Sequence, residues 1–176
     1  MSFARVRALV IVGVLAVVAL VFVVMALVKD TQGSAGLGEG CPDDWPRADV
    51  TLRDHKDVKI NVYNATERRG LAANVGDDFR NRDFQVQKEA NQKKQIDDVA
   101  VLRYGPKGVG SAHLLRAYFL GDAELEYDPK REDDIVDVVL GSNFQQLATI
   151  TEVNQSLGDL GAPVAPPGSC PMPVDG

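Results

Sequence analysis

The sequence predicts an α/β domain, a small mixed sheet covered by helices, preceded by one transmembrane helix. Three observations lead there. An uncharged, apolar run fills residues 8–28. Between about residues 57 and 150, stretches that alternate every second residue, or are continuously β-branched, take turns with stretches whose apolar residues recur every three to four positions, which is the mark of strands joined by helices. The tracts on either side are rich in glycine and proline and follow neither period.

The apolar run is 21 residues long, about 30 Å of helix, the thickness of a bilayer's hydrocarbon core. A cleaved signal peptide is the competing reading, but its apolar region usually spans only about 7–15 residues. The order Ala26-Leu27-Val28-Lys29 also lacks a small-x-small cleavage site. A lipoprotein anchor at Cys41 fails because Glu39 occupies a position that needs a small residue. Arg5 and Arg7 precede the span, whereas Lys29 and Asp30 nearly cancel behind it. The positive-inside rule then gives a cytoplasmic tail over 1–7, a membrane helix over 8–28, and an extracytoplasmic chain from residue 29 onward. The expected localisation is the cell membrane, single-pass, with the domain outside.

The chain carries 19 basic and 25 acidic residues, a net charge of −6. With Arg5, Arg7 and Lys29 set aside, 16 basic residues face 25 acidic ones. An exported part near −9 has the wrong sign for a nucleic-acid partner. Cys41 and Cys170 bracket nearly all of that part. There is no CxxC motif, and two cysteines with two scattered histidines make no zinc site. In an oxidising compartment the pair reads as one structural disulfide, stabilising by about 4–5 kcal/mol in the chain-entropy model. Free thiols and an intermolecular bond are the alternatives.

Residues 29–56 read as an extracytoplasmic linker, flexible over "DTQGSAGLGEG" and denser over "CPDDWPRADVTLRDHKD", where Trp45 is the expected anchor. The domain, 57–150, opens with "VKINVY" (58–63), a strand with Val58, Ile60 and Val62 on one face. "ATERRGLAANVGDDFRNR" is an amphipathic helix presenting Leu71, Ala72, Val75 and Phe79, with Thr66 as its expected N-cap. "FQVQKE" (84–89) alternates as a second strand, and "NQKKQ" is a loop. "VAVLRY" (99–104) is almost continuously apolar, as expected of a central strand covered on both faces. A helix follows from about Val109 to Leu120, with Ser111 able to cap it. "AELEY" suits a short edge strand, "DIVDVVLG" (134–141) another central strand, and "SNFQQLATI" the start of a last helix. Residues 151–176 form a Pro/Gly-rich tail tied back by Cys170.

Candidate chemistry is sparse. In "YGPKGVG" the glycines Gly105, Gly108 and Gly110 follow GxxGxG, neither the GxxxxGK[ST] of a phosphate loop nor the GxGxxG of a dinucleotide fold. Tight-turn chemistry is the favoured reading, and an anion site the alternative. "NATERRGLA" is the stronger ligand candidate. Amides at a helix start attract anions, and Arg68 and Arg69 fall in the expected first turn. Asn64, Thr66, Arg68, Arg69 and Gly70 are therefore the expected ligand-binding residues. Asp128, Glu132, Asp133, Asp134 and Asp137 crowd one stretch without the glycine and terminal glutamate of a calcium loop, so no metal is expected. No nucleophile motif is present, and neither a catalytic residue nor a cofactor is assigned.

The segments "VKINVYNATERRGLAANVGDDFRNRDFQV", "VAVLRYGPKGVGSAHLLRAYF" and "DIVDVVLGSNF" resemble, in order and spacing, the LytR C-terminal domain family over residues 57–147. Its markers are the strand ending in "NVYNAT", the "GLA" that opens the helix, and "VVLGSNF". Two departures are Ala65, where the family usually has glycine in Asn-Gly-Thr, and Asp83, where it has glycine before the second strand. The family occurs at the end of LytR–CpsA–Psr envelope proteins, and alone behind a single anchor, chiefly in actinobacteria. Their phosphotransferase work belongs to a separate domain. The resemblance therefore implies a non-catalytic cell-envelope module whose partners are the membrane and peptidoglycan, a glycopolymer precursor or an envelope protein. A glycan- or phosphosugar-processing enzyme and a pure scaffold are the alternatives.

Overall fold

The computed structural model describes residues 41–172, together with Gly13, Leu15, Ala16, Val18 and Ala19. Those five are helical, but most of the expected 8–28 span lies outside the described residues. Among the described residues no helix is long and apolar enough to cross a membrane. The fold below is that of the compact unit Gly38–Gly176.

The elements run β1 (Arg47–Ala48), β2 (Lys59–Asn64), α1 (Leu71–Arg80), β3 (Gln85–Asn91), β4 (Ala100–Tyr104), α2 (Val109–Tyr118), β5 (Glu124–Tyr127), β6 (Val136–Leu140), α3 (Ile150–Leu160) and β7 (Cys170–Pro171). Five strands form a mixed sheet in the order β3-β2-β6-β4-β5. β2 pairs in parallel with both β3 and β6. β4 is antiparallel to β6 and parallel to β5. The expected mixed α/β fold is thus present, with β6 central and β5 at an edge.

The helices cover one face only. Ile60, Val62, Leu102, Val136, Val138 and Leu140 pack with the buried residues of α1 and α2 into one core. Phe79 is fully buried there, its ring 5.1 Å from Phe84. Burying such a side chain contributes about 2–3 kcal/mol. On the opposite face Val101, Val139 and Ala65 form a second, smaller cluster beneath Tyr63 and Ile96. The continuous apolar run of β4 is therefore covered on both faces, as expected, with a helix layer on one side and a loop on the other. Farther along that second face one register row, Lys88, Asn61, Asp137, Arg103 and Glu126, crosses all five strands.

Helix boundaries also differ. α1 begins at Leu71, with Gly70 as N-cap at φ 76° and no side-chain cap. Thr66 is therefore not the cap, and Arg68 and Arg69 precede the helix rather than standing in its first turn. α1 ends with the amides of Asp83 and Phe84 bonded to the carbonyls of Arg80 and Phe79, a Schellman ending with Asp83 in the left-handed position at φ 67°. Aspartate tolerates that conformation, which is how this chain does without the family's glycine. Ser111 lies inside α2 and caps nothing; Gly108 holds the N-cap position. α3 starts at Ile150, later than "SNFQQLATI" suggests, because Thr149 and Glu152 form a capping box. The 151–176 stretch thus opens with a helix.

The terminal segments close on each other. Cys41 and Cys170 are disulfide-bonded with Cα atoms 6.3 Å apart, within the usual bridging range. Beside them β1 and β7 form a two-residue parallel ladder. Trp45 is 41% exposed, and the anchor is instead Ala48, at 0%. The following residues strap the start of α2. The amide of Asp49 donates to the carbonyl of Pro106 at 2.8 Å, and the amide of Gly110 donates to the carbonyl of Asp49 at 2.9 Å. A Cβ on Gly110 would run into the backbone of Thr51. Gly110→Ala is accordingly expected to cost about 2–3 kcal/mol by overpacking against rigid backbone, read as a lower urea midpoint with an unchanged m-value.

Candidate functional site

The strap settles the role of the 105–110 loop. Its Gly110 amide is spent on Asp49, and its Gly108 amide on Gly105 at 2.9 Å. Gly110 allows the Asp49–Thr51 backbone to approach, and Gly105 the backbone of Arg131. That is turn and packing chemistry, with those two amides withdrawn from any anion.

The expected ligand residues lie at the opposite end of the sheet, beyond the carboxyl end of β2. Chain leaving β2 turns towards β3, whereas chain leaving the adjacent parallel β6 runs on to α3, which packs against α2. Divergence of two such connections marks the position where α/β sheets commonly bind ligands; here the loop after β3 packs into it, with the Ala65 amide donating to the Leu140 carbonyl and the Ser142 amide to the Ile96 carbonyl, each at 2.9 Å. Asn64, 2% exposed, organises the loop. Its Nδ2 donates to the Arg68 carbonyl at 2.7 Å and to Asn91 Oδ1 at 3.1 Å. Its Oδ1 accepts from the Thr66 amide at 3.0 Å and from Thr66 Oγ1 at 2.7 Å. Thr66 Oγ1 in turn accepts from the Arg68 amide at 3.0 Å. These local side-chain bonds compete with helix formation and delay it by a turn. Ala65 is fully buried and has a negative φ, so the family's glycine is replaced here without strain.

Asn64 and Thr66 are thus structural. Arg68 is half committed, its Nη1 donating to the Phe144 carbonyl at 2.7 Å. Arg69 and Gly70 are exposed. Beyond them the first turn of α1 has neither a side-chain cap nor an acidic residue, leaving its amides without a side-chain partner.

Two cations that the sequence reading passed over as loop belong to the same end. The loop after β3 is laced to the 64–67 segment. Gln92 donates through its amide to the Asn64 carbonyl at 2.8 Å, Ile96 likewise to Ala65 at 3.2 Å, and Gln95 Nε2 to Glu67 Oε1 at 3.2 Å. This brings exposed Lys93 and Lys94 to the end that holds Arg68 and Arg69. Four cations there face Glu67, Asp97 and Asp98, a positive balance in a chain whose net charge is −6. The only hint in sequence was the "KK" of "NQKKQ", meaningful once pairing places it.

The other end holds an open polar cleft of about 410 Å³ lined by Asp49, Arg53, Lys107, Glu132, Asp133, Asp134 and Met172. Burial works to raise the Asp49 carboxyl, but hydrogen bonds from Thr51 and Arg53 outweigh it and hold the group below its ordinary value. The Lys59 ammonium, at 2.9 Å, holds Asp134 low as well. Both carboxylates stay ionised near neutral pH, whereas glycoside cleavage needs one kept protonated as the acid. Nearby acids are similarly spent: Asp137 accepts from Arg131 at 2.9 Å and from Asn61 at 2.7 Å, and Asp133 from Arg131 at 2.9 Å. Among the described residues no group of His, Cys, Asp or Glu could hold a metal ion.

Known proteins are similar to this chain. The cell envelope integrity protein Cei of Mycobacterium tuberculosis is 28% identical over 116 residues, 64% of this chain and 53% of Cei. The chain thus spans about half the length of that curated relative. The crystal structure of the soluble domain of a secreted protein from Mycobacterium marinum is similar with a TM-score of 0.53 and 27% identity, over 73% of this chain and 82% of that one. The family model described as the LytR cell envelope-related transcriptional attenuator matches residues 57–144, which run from the approach to β2 through the Asn64 clamp to the Phe144 carbonyl that holds Arg68, and the chain belongs to this LytR C-terminal family.

Proposed function

We propose that this protein is a non-catalytic, membrane-anchored extracytoplasmic module for maintaining the cell envelope, and that it binds an anionic group of peptidoglycan or of a glycopolymer precursor. A carboxylate or phosphate docks on the open amides of the α1 first turn, with Arg69 and the remaining guanidinium nitrogens of Arg68 closing on it. Asn64, Thr66 and Gly70 shape the loop, and Lys93 and Lys94 draw the ligand in. The observation that carries this reading is the pairing of an uncapped, acid-free helix start with two loops laced into a locally cationic end. The envelope role rests on the family and on the relative Cei. Asp49 and Asp134 of the opposite cleft, held ionised by Thr51, Arg53 and Lys59, do not supply the acid that the enzyme alternative needs.

Arg69→Glu tests it, because Arg69 has no hydrogen bond or ion pair among the described residues. Binding of muropeptides and lipid-linked precursors to the full chain is expected to weaken at least tenfold, with the thermal midpoint unchanged. Unaltered affinity would contradict the site, and conversion of either ligand into product would replace this reading with the enzyme.

A further inference from the structure

Two departures from local preference meet at one groove outside this site. α2 ends in a Schellman motif: the Gly121 amide donates to Arg116 and the Leu120 amide to Ala117, each at 3.0 Å. The left-handed position in that motif usually belongs to glycine, yet here it is Leu120, at φ 55°. A strained leucine would be unremarkable if burial offset the strain, but Leu120 is 53% exposed. It lines a groove of about 350 Å³ against Glu152, Gln155, Ser156, Asp159 and Leu160 of α3. Asp159 is the second departure, an acid in the last turn of a helix that has no basic residue there, where the helix dipole disfavours negative charge.

Uncompensated departures of this kind gather at functional surfaces. Their chemistry specifies the occupant. Leu120 and Leu160 offer an aliphatic floor. Glu152, held ionised by hydrogen bonds from the Thr149 amide and hydroxyl, and Asp159 with the carbonyl end of α3 supply negative charge. α3 lies outside the matched residues 57–144, whereas Leu120 lies within them.

We propose that the groove between the end of α2 and α3 is a docking surface for a partner polypeptide segment in which an aliphatic side chain is flanked by lysine or arginine. The aliphatic group seats on Leu120 and Leu160, and the cation answers Asp159, which has no ion pair among the described residues, beside the Gly161 carbonyl that His113 Nε2 meets at 2.9 Å.

Leu120→Gly separates docking from folding, since it removes the contact and the backbone strain together. The full chain in phosphatidylcholine nanodiscs is titrated by fluorescence anisotropy with a labelled peptide of alternating leucine and lysine pairs, and with counterparts carrying glutamate for lysine or alanine for leucine. The wild type is expected to bind the leucine–lysine peptide and neither counterpart. Leu120→Gly is expected to raise the thermal midpoint while weakening binding at least tenfold, and Asp159→Lys to weaken it similarly without unfolding. Absence of wild-type binding, equal binding of either counterpart, full affinity in both variants, or a lower midpoint in Leu120→Gly would overturn the proposal.

Discussion

Replacing Cys170 with alanine, or reducing the protein, is expected to lower its unfolding free energy by about 4–5 kcal/mol in the chain-entropy model. The bridge joins residues 129 apart in sequence, so nearly the whole unit gains freedom when it opens. Little else holds the two ends together. The β1–β7 ladder is two residues long, with Cys170 donating through its amide to Pro46 at 3.0 Å and Met172 to Ala48 at 2.8 Å. Loss of that ladder also frees Ala48 and Asp49 from the start of α2. The thermal midpoint of the described unit should fall by roughly 15–20 °C, as read by calorimetry with and without reductant. A midpoint indifferent to reduction would show that the ladder and Ala48 suffice.

The second large effect is expected at Asn64. Asn64→Ala removes two donated and two accepted hydrogen bonds from a side chain that is 2% exposed. The Arg68 carbonyl and the Thr66 amide lose their partners in a part-buried loop, and groups left stranded out of water cost about 1–3 kcal/mol each before relaxation. A loss of about 3 kcal/mol in urea unfolding is expected. Thr66→Ala should cost less, because it keeps both bonds donated by Asn64 Nδ2. Equal losses in the two variants would mean that Asn64 does not organise the loop.

The sheet was legible in the sequence where side-chain period carries position. Val58, Ile60 and Val62 alternate because one face of β2 meets helices and the other carries Lys59, Asn61 and Tyr63. The disulfide was legible from compartment and cysteine count. Helix starts were harder, because local side-chain chemistry decides them. Asn64 and Thr66 hold the chain out of the helix until Gly70 turns it, and propensity does not report that competition. The α3 start was readable, since Thr149-Ile150-Thr151-Glu152 carries the capping-box spacing, but the apolar residues before it masked the signal. The second sheet face was legible only as covered, because a continuous apolar strand says that both faces are covered without saying by what. Tyr63 and Ile96 cover it from short, polar surroundings. The two-residue strands β1 and β7 are too short for any period. The cationic end was hidden because its four residues come from two loops that only strand pairing brings together.

The central claim is that the Asn64–Gly70 loop and the α1 first turn receive an envelope anion. Backbone amide shifts of the isotope-labelled protein, followed while a muropeptide is titrated in, test it most directly. The account predicts that the largest changes fall on Arg68 to Ala73, with smaller ones at Lys93 and Lys94 and none at the 105–110 loop. Changes concentrated instead in the Asp49–Asp134 cleft, or no change at saturating ligand, would contradict it.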